Sequence, residues 1–432
     1  MDVVVSDHHA PRADGALPQV PIVHPLVCGY PCPELCAAAV AYKLASAVLE
    51  AGGSPQQELE DDVDHVALAT IADVVPLRGE NRSLARRGLR ALARTRKPGL
   101  RALMAVARVE PGMLTERSVA FALAPRLNAA GRMHRADAGL ELILTQERAR
   151  ATQIADELDR ANSERRIVER QIRFAAEEQI AMLGERGAYV LAAEGWHGGV
   201  IGIVAARLAE RHHRPVVMIS LQDERGKGSG RSIEGFDLLA GLNACGGQLL
   251  RYGGHRAAAG LEIERARVPE FAAALNEHAA CVMRPEDAVV VERVDAVVRG
   301  GELGMELAEE LQMFAPFGRG NPGVSLLVED ARFRDSRPMG DGKHARFTVE
   351  SCGARARAVA FGTGGRLPVD DGAPAEATFT LEVNEWNGVA EPRLVLRRAR
   401  PAPDSGPLED FSDAPARGEP GEPQELVLFA LD

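Results

Sequence analysis

The sequence has little of several features that define whole classes of protein. Six cysteines in 432 residues are too few for a disulfide-stabilised scaffold, so we expect a cytoplasmic protein in a reducing environment. No uninterrupted apolar run reaches about 18 residues, so no transmembrane helix is predicted. Residues 1–30 lack a basic segment followed by an apolar one, and we therefore expect no secretory signal. These absences argue against a membrane protein and against a small secreted scaffold.

Lysine is scarce as well, since only four of the 51 basic residues are lysines. Arginine suits phosphate recognition, but genome composition explains so general a bias better. The net charge is −11, and residues 401–432 account for −7 of it with eight acidic residues and Arg417. Residues 1–400 therefore carry only −4, which leaves room for a local basic groove and a nucleic-acid partner.

The hydrophobic pattern predicts several domains in one chain. The apolar runs at 1–6 and 65–71 are predicted to be buried parallel strands that end in polar residues, with a helix at 35–50 between them. The charged segment at 136–183 is predicted to be helical and to join two domains. Beyond residue 285 apolar and polar residues alternate, which predicts an antiparallel barrel or sandwich. The predicted divisions are 1–135, 136–183, 184–284, 285–400 and an acidic, disordered tail at 401–432.

Ligand-capable side chains follow the two predicted strands of the first domain. Asp7, His8 and His9 come directly after the first strand, and Asp73 follows the second. The carboxyl ends of parallel strands are where α/β folds place ligands, so we expect His8 and Asp73 to converge. Adjacent carboxylate and imidazole groups suit a transition metal such as Mn²⁺. A surface loop or helix cap would explain either group alone.

Two arginines and an asparagine lie among small residues at 125–132. Arg126, Asn128 and Arg132 flank alanines and a glycine that would let a ligand approach the backbone. A helix N-terminus with exposed arginines explains the same pattern.

Two glycine-rich stretches occur in the second α/β unit. The stretch at 226–232 is predicted to be a flexible loop in which backbone N–H groups, Ser229 and Arg231 bind an anion. It lacks the P-loop spacing, which disfavours a nucleoside triphosphatase. The second stretch places Gly254 and His255 beside bare backbone. A lone histidine is often structural, but the nearby arginine and serine favour phosphate contact.

Taken in order, these motifs resemble a known superfamily. VVVSDHHAP, LATIADVVPL and PRLNAAGRM look like the later motifs of the DHH phosphoesterases, and GWHGGVIGIVAARLAE, GKGSGRS and YGGHRAAAG look like the DHHA1 domain. FAPFGRGNP and the β-rich segment after it resemble the C-terminal domain of the RecJ family of single-strand-specific 5′→3′ DNA exonucleases. The resemblance covers residues 1 to about 400. It implies an α/β fold with a partial DHH parallel-sheet domain, a long connecting helix, a DHHA1 domain and an OB-like β-barrel.

The resemblance also implies a chemistry and a role for each candidate residue. A two-metal site with Mn²⁺ or Mg²⁺ would hydrolyse phosphodiester bonds. His8 and Asp73 would bind metal, Asp7 would orient the site, and His9 would contact the scissile phosphate. The implied substrate-binding residues are Arg126, Asn128, Arg132, Ser229, Arg231, Gly254 and His255.

One departure from the family pattern concerns the metal ligands. The family's first motif, which is an Asp-x-Asp-x-Asp-Gly-like strand end, and its second ligand aspartate precede the Asp-His-His triplet. They have no counterpart in the printed sequence. We therefore expect an incomplete two-metal site and impaired activity in this chain, with a fragment or a shortened gene model as the simplest explanation.

The resemblance implies single-stranded DNA as the main partner, in repair and recombination. A helicase or a single-strand-binding protein would be a further partner, and no membrane is expected. Two other functions stay open. One is a strand-binding or replisome scaffold that has lost its metals. The other is a phosphodiesterase for oligoribonucleotides or cyclic dinucleotides, which is disfavoured because such enzymes lack the PFGRGNP segment and the barrel.

Overall fold

The computed structural model describes residues 2–11, 15–53, 56–133, 135–386 and 388–402. These residues fall into two compact units, one formed by 2–88 with 291–402 and the other by 89–290. No described helix is both long and apolar enough to cross a membrane. The predicted acidic tail lies outside the described residues from 403 onward.

The secondary structure of the described residues is mixed. The α-helices are α1 (Ala37–Ala51), α2 (Val63–Ala72), α3 (Gly79–Arg94), α4 (Pro98–Ala107), α5 (Glu116–Ser118), α6 (Ala124–Met133), α7 (Asp137–Leu144), α8 (Arg148–Leu183), α9 (Gly198–His212), α10 (Leu238–Ala244), α11 (Val268–Val282) and α12 (Met305–Gln312). The β-strands are β1 (Val5–Ser6), β2 (Ile22–Val23), β3 (Tyr189–Glu194), β4 (Val216–Gln222), β5 (Arg225–Arg231), β6 (Leu249–His255), β7 (Ala258–Glu264), β8 (Ala296–Val297), β9 (Leu326–Met339), β10 (His344–Ser351), β11 (Ala354–Ala360), β12 (Pro374–Trp386) and β13 (Val389–Pro401). A π-helical turn at Val119–Leu123 leads into α6.

The first unit contains a closed five-stranded barrel. Its strand order is β10-β11-β13-β12-β9, and pairing of β9 with β10 closes the ring, while β8 adds to β9 in parallel. Phe333, Phe347 and Phe379 fill the interior. The ring centroids of Phe333 and Phe347 lie 4.7 Å apart. The alternating pattern of this segment predicted inward apolar residues, and the predicted barrel is confirmed.

The N-terminal part of the first unit differs from the prediction in two elements. The strand predicted at 1–6 is only β1, which pairs in parallel with β2, and Val3 and Val4 are exposed. The strand predicted at 65–71 is wrong, because this run belongs to α2. Seven of the ten residues of α2 are buried. The helix therefore lacks the alternation of apolar and polar faces by which a helix is recognised in a sequence. An apolar run of this length cannot be assigned from periodicity alone.

A turn at 313–321 fastens the barrel region to the segment that follows α2. The N–H of Leu77 donates to the carbonyl of Arg319 over 2.6 Å, and Arg82 donates to the carbonyl of Phe314 over 2.7 Å. A Cβ added at Gly318 would lie 2.8 Å from a methyl carbon of Leu77, so a larger residue there would displace this buried side chain. The PFGRGNP motif thus stabilises the chain four residues beyond Asp73.

The second unit contains a five-stranded sheet with helices on both faces. The strand order is β3-β4-β5-β7-β6, in which β3 and β4 are parallel and the other neighbours antiparallel. Helices α8 and α9 share one apolar cluster with β3 and β4. Helices α10 and α11 share the other cluster with β4 and β7.

Strand β5 corrects the prediction of a flexible loop at 226–232. It pairs along its whole length with β4 on one side and β7 on the other. Gly226, Gly228 and Gly230 face the core, and a Cβ at Gly228 would lie 2.7 Å from Leu261. Large neighbours fill the space that the glycines leave empty. Because glycine is depleted in strands, this alternation looked like a loop in the sequence.

The predicted helical segment at 136–183 is two helices, α7 and α8, separated by residues 145–147. All 36 residues of α8 lie within the second unit. Inside this helix the buried Arg165 donates to Glu169 over 2.7 Å and to Asn162 over 3.1 Å. The helix packs along one side against α4, α6, α7 and α9, and its opposite side is exposed.

Candidate metal and phosphate sites

His8 and Asp73 lie next to each other in the first unit. His8 Nδ1 is 3.7 Å from Asp73 Oδ2, and the two side chains are 14% and 48% exposed. His8 follows β1, while Asp73 is the C-terminal cap residue of α2. The expected convergence of the two side chains is confirmed, although a helix and not a strand delivers Asp73.

The Asp7 carboxylate organises the loop that carries both histidines. Its Oδ1 accepts the backbone N–H of His8 at 2.7 Å and that of His9 at 3.2 Å, and His9 Nδ1 lies 2.7 Å away. Hydrogen bonds from the side chain and backbone of His9 are the main causes that lower the pKa of Asp7 to about 2. The carboxylate is therefore ionised at neutral pH, and it holds the loop closed.

His24 is a positioning residue that the sequence analysis missed. This side chain is 5% exposed. Its Nε2 donates to the carbonyl of His9 over 2.8 Å, while its Nδ1 accepts the N–H groups of Leu26 and Val27 at 3.2 and 3.3 Å. These bonds define one tautomer. A histidine directly after the apolar pair Ile22–Val23 was the available signal, because β2 runs parallel to β1.

Asp62, Asp64 and His65 form a second group of potential metal donors, with ligand atoms within 4.8 Å of one another. Asp64 Oδ1 accepts the His65 backbone N–H at 2.7 Å and lies 3.2 Å from His65 Nδ1. These contacts stabilise the first turn of α2 and account for the clustering of the three side chains. We therefore do not assign a metal ion to this group.

The second site is built on the polar side of β5. Ser229 and Arg231 project from alternate positions opposite the glycines, and Arg231 Nη1 donates to Ser229 Oγ over 3.1 Å. Burial lowers the pKa of the Arg231 guanidinium, and the neighbouring charge of Arg132 lowers it further. Among the described residues, no carboxylate lies within 4.0 Å of this guanidinium. A half-buried cation without an anionic partner is suited to bind an anion.

The N-terminus of α9 adjoins this pair. A Cβ at Gly202 would lie 2.8 Å from Ser229 Oγ and 3.1 Å from Arg231 Nη2. Arg132, at the end of α6, donates to the carbonyl of Gly199 over 3.0 Å. Arg132 and the N-terminal part of a 15-residue helix therefore lie beside the Ser229–Arg231 pair, and the helix dipole favours an anion there.

The backbone contribution predicted for this site is wrong. The N–H groups of β5 are committed to the ladders with β4 and β7, so they cannot form an anion nest. Side chains supply the polar groups instead.

The other two residues of the 125–132 motif differ in exposure. Asn128 is exposed on α6. Arg126 is 13% exposed, donating to Asp159 over 2.8 Å and to the carbonyl of Ala122 over 2.7 Å. These contacts favour a structural role for Arg126, in which it holds α6 against α8.

Gly254 and His255 end β6, in a hairpin with β7. Gly254 has φ of +147°, and a Cβ there would lie 2.4 Å from the carbonyl oxygen of Ala258, so the backbone requires glycine. His255 pairs with Ala258, which in turn pairs with Arg231. Directly paired residues share a face of the sheet. His255 is thus exposed in the same row as Arg231, two strands away.

Comparison with known proteins agrees with this architecture. The DHHA1 domain model matches residues 185–280, and the RecJ OB domain model matches residues 294–398. The single-stranded-DNA-specific exonuclease RecJ of Bacillus subtilis is 37% identical over 92% of this chain and 51% of its own length. The Haemophilus influenzae protein of the same name is 34% identical over 92% of this chain and 73% of its own. The chain therefore spans about half the length of the Bacillus relative.

A solved structure is similar over nearly the whole chain. The crystal structure of RecJ from Thermus thermophilus in complex with Mn²⁺ superposes with a TM-score of 0.79 and 31% identity. The match covers 94% of this chain and 58% of the Thermus chain. Sequence and fold each match over more than nine tenths of the chain, and the chain belongs to the RecJ family of single-stranded-DNA-specific exonucleases.

Proposed function

We propose that this chain hydrolyses phosphodiester bonds of single-stranded DNA in the 5′→3′ direction, in repair and recombination. The observation that carries the proposal is the pair His8 and Asp73, 3.7 Å apart, in a chain of the RecJ family. An imidazole and a carboxylate at this separation provide two donors for one divalent cation.

The donor set fits Mn²⁺ or Mg²⁺, the ions bound in the Thermus RecJ structures. We assign His8 and Asp73 as ligands. A bound cation would activate water and offset the charge on the phosphate. Asp7 orients the loop through its three hydrogen bonds. The side chain of His9 is 79% exposed and is free on its outer side to contact the scissile phosphate.

For the second unit we propose phosphate binding by Arg132, Ser229 and Arg231. The absence of a described carboxylate partner for Arg231 and its hydrogen bond to Ser229 support this role. The proposed substrate-contacting residues beside them are Asn128, Gly254 and His255. Arg126 is left out, because Asp159 and a backbone carbonyl already occupy its guanidinium.

We also propose a cytoplasmic setting, with a helicase or a single-strand-binding protein as a further partner. The proposed domain divisions remain 1–135, 136–183, 184–284 and 285–400. Two observations support the last two of these divisions: the DHHA1 match falls within 184–284, and the OB match falls within 285–400.

The test is nucleotide release from a 5′-phosphorylated single-stranded DNA with Mn²⁺, compared between this chain and its His8→Ala and Asp73→Asn variants. We expect slow release by the parent chain, in which only two metal ligands are assigned, and none by either variant. Binding of Mn²⁺, followed by electron paramagnetic resonance, should fall in parallel. Each variant is compared with the parent chain under the same conditions, so the test works even if the parent chain releases nucleotides slowly.

Three outcomes would contradict the proposal. Equal release by His8→Ala would place the catalytic site elsewhere. Faster cleavage of short oligoribonucleotides than of DNA would favour the smaller phosphodiesterases. Mn²⁺-independent DNA binding without any cleavage would favour a scaffold.

A further inference from the structure

The exposed side of α8 carries a basic and aromatic surface that the sites above do not use. Its residues are Arg166, Ile167, Arg170, Arg173 and Phe174, which we call the basic helix face. Ile167 is 48% and Phe174 67% exposed. The two apolar residues are seven positions apart, so they lie on the same side of the helix, two turns from each other.

The described part of the chain offers the arginines of this face no anionic partner. Among the residues that the structure describes, no carboxylate lies within 4.0 Å of Arg166, Arg170 or Arg173. Two acidic residues of α8 lie close enough in sequence to pair with them, but both are engaged elsewhere. Glu169 pairs with Arg165 and Arg207, and Glu177 pairs with Arg211 and His212.

The spacing of these arginines suits a nucleic-acid backbone. Positions 166, 170 and 173 are four and three residues apart, so the side chains form one row on the helix. Seven residues of α-helix span about 10 Å, and stacked nucleotides of one strand advance about 3.4 Å each. The row therefore covers about three consecutive phosphates.

The aromatic residue distinguishes the type of ligand. A flexible anionic protein segment would need only the charges, whereas single strands also present unpaired bases that stack on exposed rings. Phe174 is one helical turn beyond Arg170 and next to Arg173. An exposed ring at the end of a row of arginines is a combination typical of surfaces that bind single strands without sequence preference.

We propose that the basic helix face is a binding surface for single-stranded DNA, separate from the metal and phosphate sites. Phe174 stacks on a base, and the three arginines contact phosphates. This inference rests on the proposed substrate class. It makes no use of the metal site, so it can fail or hold independently of nuclease activity.

The test measures binding of a fluorescein-labelled 30-nucleotide oligothymidylate by anisotropy, in EDTA, with the full chain. The variant carries Arg166→Gln, Arg170→Gln and Arg173→Gln. A matched control carries Arg101→Gln, Arg148→Gln and Arg186→Gln, three exposed arginines of the same unit. Loss of three phosphate contacts should reduce the slope of log affinity against log salt by about 2, whereas the control should keep the parent slope.

Substitutions of the ring test the stacking step. Phe174→Ala should weaken binding about tenfold, and Phe174→Trp should restore it. A crosslink from an iododeoxyuridine oligonucleotide should map to the peptide that contains Phe174. Thermal unfolding should be unchanged in all variants, because the substituted side chains are exposed or half-buried.

An equal loss of slope in both triple variants would show a general charge effect and overturn the proposal. Unchanged oligothymidylate binding in the arginine triple variant would do the same. If that variant instead lost binding to a polyglutamate peptide only, the face would belong to an acidic protein partner. If the parent chain had no nuclease activity but the arginine triple variant still lowered the salt slope, this inference would hold, and the result would count against the proposed function alone.

Discussion

The two candidate sites are constructed in opposite ways. His8 and Asp7 follow a strand of two residues, and hydrogen bonds from individual side chains keep their loop in place. Ser229 and Arg231 lie on a strand that is paired on both sides within a five-stranded sheet. Loss of one hydrogen bond should therefore disturb the first site, whereas the second should respond only to changes in packing or in its own side chains.

The largest effect is expected at the metal site. His8→Ala removes one of two proposed ligands, so Mn²⁺ affinity should fall about a hundredfold or more. Thermal unfolding should hardly change. Titration of Mn²⁺ by electron paramagnetic resonance measures the first quantity and calorimetry the second. Retained affinity would show that other donors hold the ion.

Removal of His24 tests the dependence on single hydrogen bonds. His24→Ala should weaken Mn²⁺ binding by about tenfold, although His24 is not a proposed ligand. It should also destabilise the first unit by ~2 kcal/mol, because three buried hydrogen bonds are lost. His24→Gln, which can restore one of them, should recover part of both quantities. If His24→Ala lowered stability alone, the loop would be positioned by other contacts.

Substitution at the second site should separate binding from stability. Arg231→Met should weaken binding of a 5′-phosphorylated oligonucleotide about tenfold and lower the salt slope by about 0.7. The melting temperature should stay constant or rise, because a half-buried cation without a carboxylate partner costs stability. A lower melting temperature would show that Arg231 supports the fold.

The smallest effect is expected from a change in packing behind the second site. In Gly202→Ala the new methyl group would press on the ends of Ser229 and Arg231. Both ends can move, so oligonucleotide affinity should fall only about threefold. Gly247→Ala, whose Cβ would meet no atom within 4 Å, is the matched control. Equal affinities in the two variants would argue that the Ser229–Arg231 pair does not bind the strand.

The sequence predicted the architecture well where the pattern was unambiguous. Alternation predicted the barrel, and the order of motifs predicted the family. Periodicity failed at α2, whose nearly complete burial hides the helical period. It also failed at β5, where glycines replace the apolar residues that mark a strand. The sequence predicted correctly that His8 and Asp73 converge, but it placed Asp73 after a strand, whereas Asp73 follows helix α2.

Contacts between residues far apart in the chain could not be predicted from the sequence either. His24 could be recognised only once β2 was known to lie beside β1. The ion pair of Arg126 with Asp159 joins residues 33 positions apart on different helices, and no local sequence pattern predicts it. Residues that act through long-range contacts thus need the fold, while residues at motif positions do not.

Strand β5 has a consequence for how this chain tolerates sequence change. Its even-numbered residues from 226 to 230 are glycines fixed by packing, whereas Ser229 and Arg231 at odd positions face Gly202 of α9 with the ends of their side chains. A saturation scan read out by protein abundance should therefore reject substitutions at the glycines and accept residues of equal or smaller size at the serine and arginine. The same library read out by strand binding should reject both sets. Along this one strand, selection for folding and selection for binding would then alternate from residue to residue. An assay of binding alone could not tell the two apart.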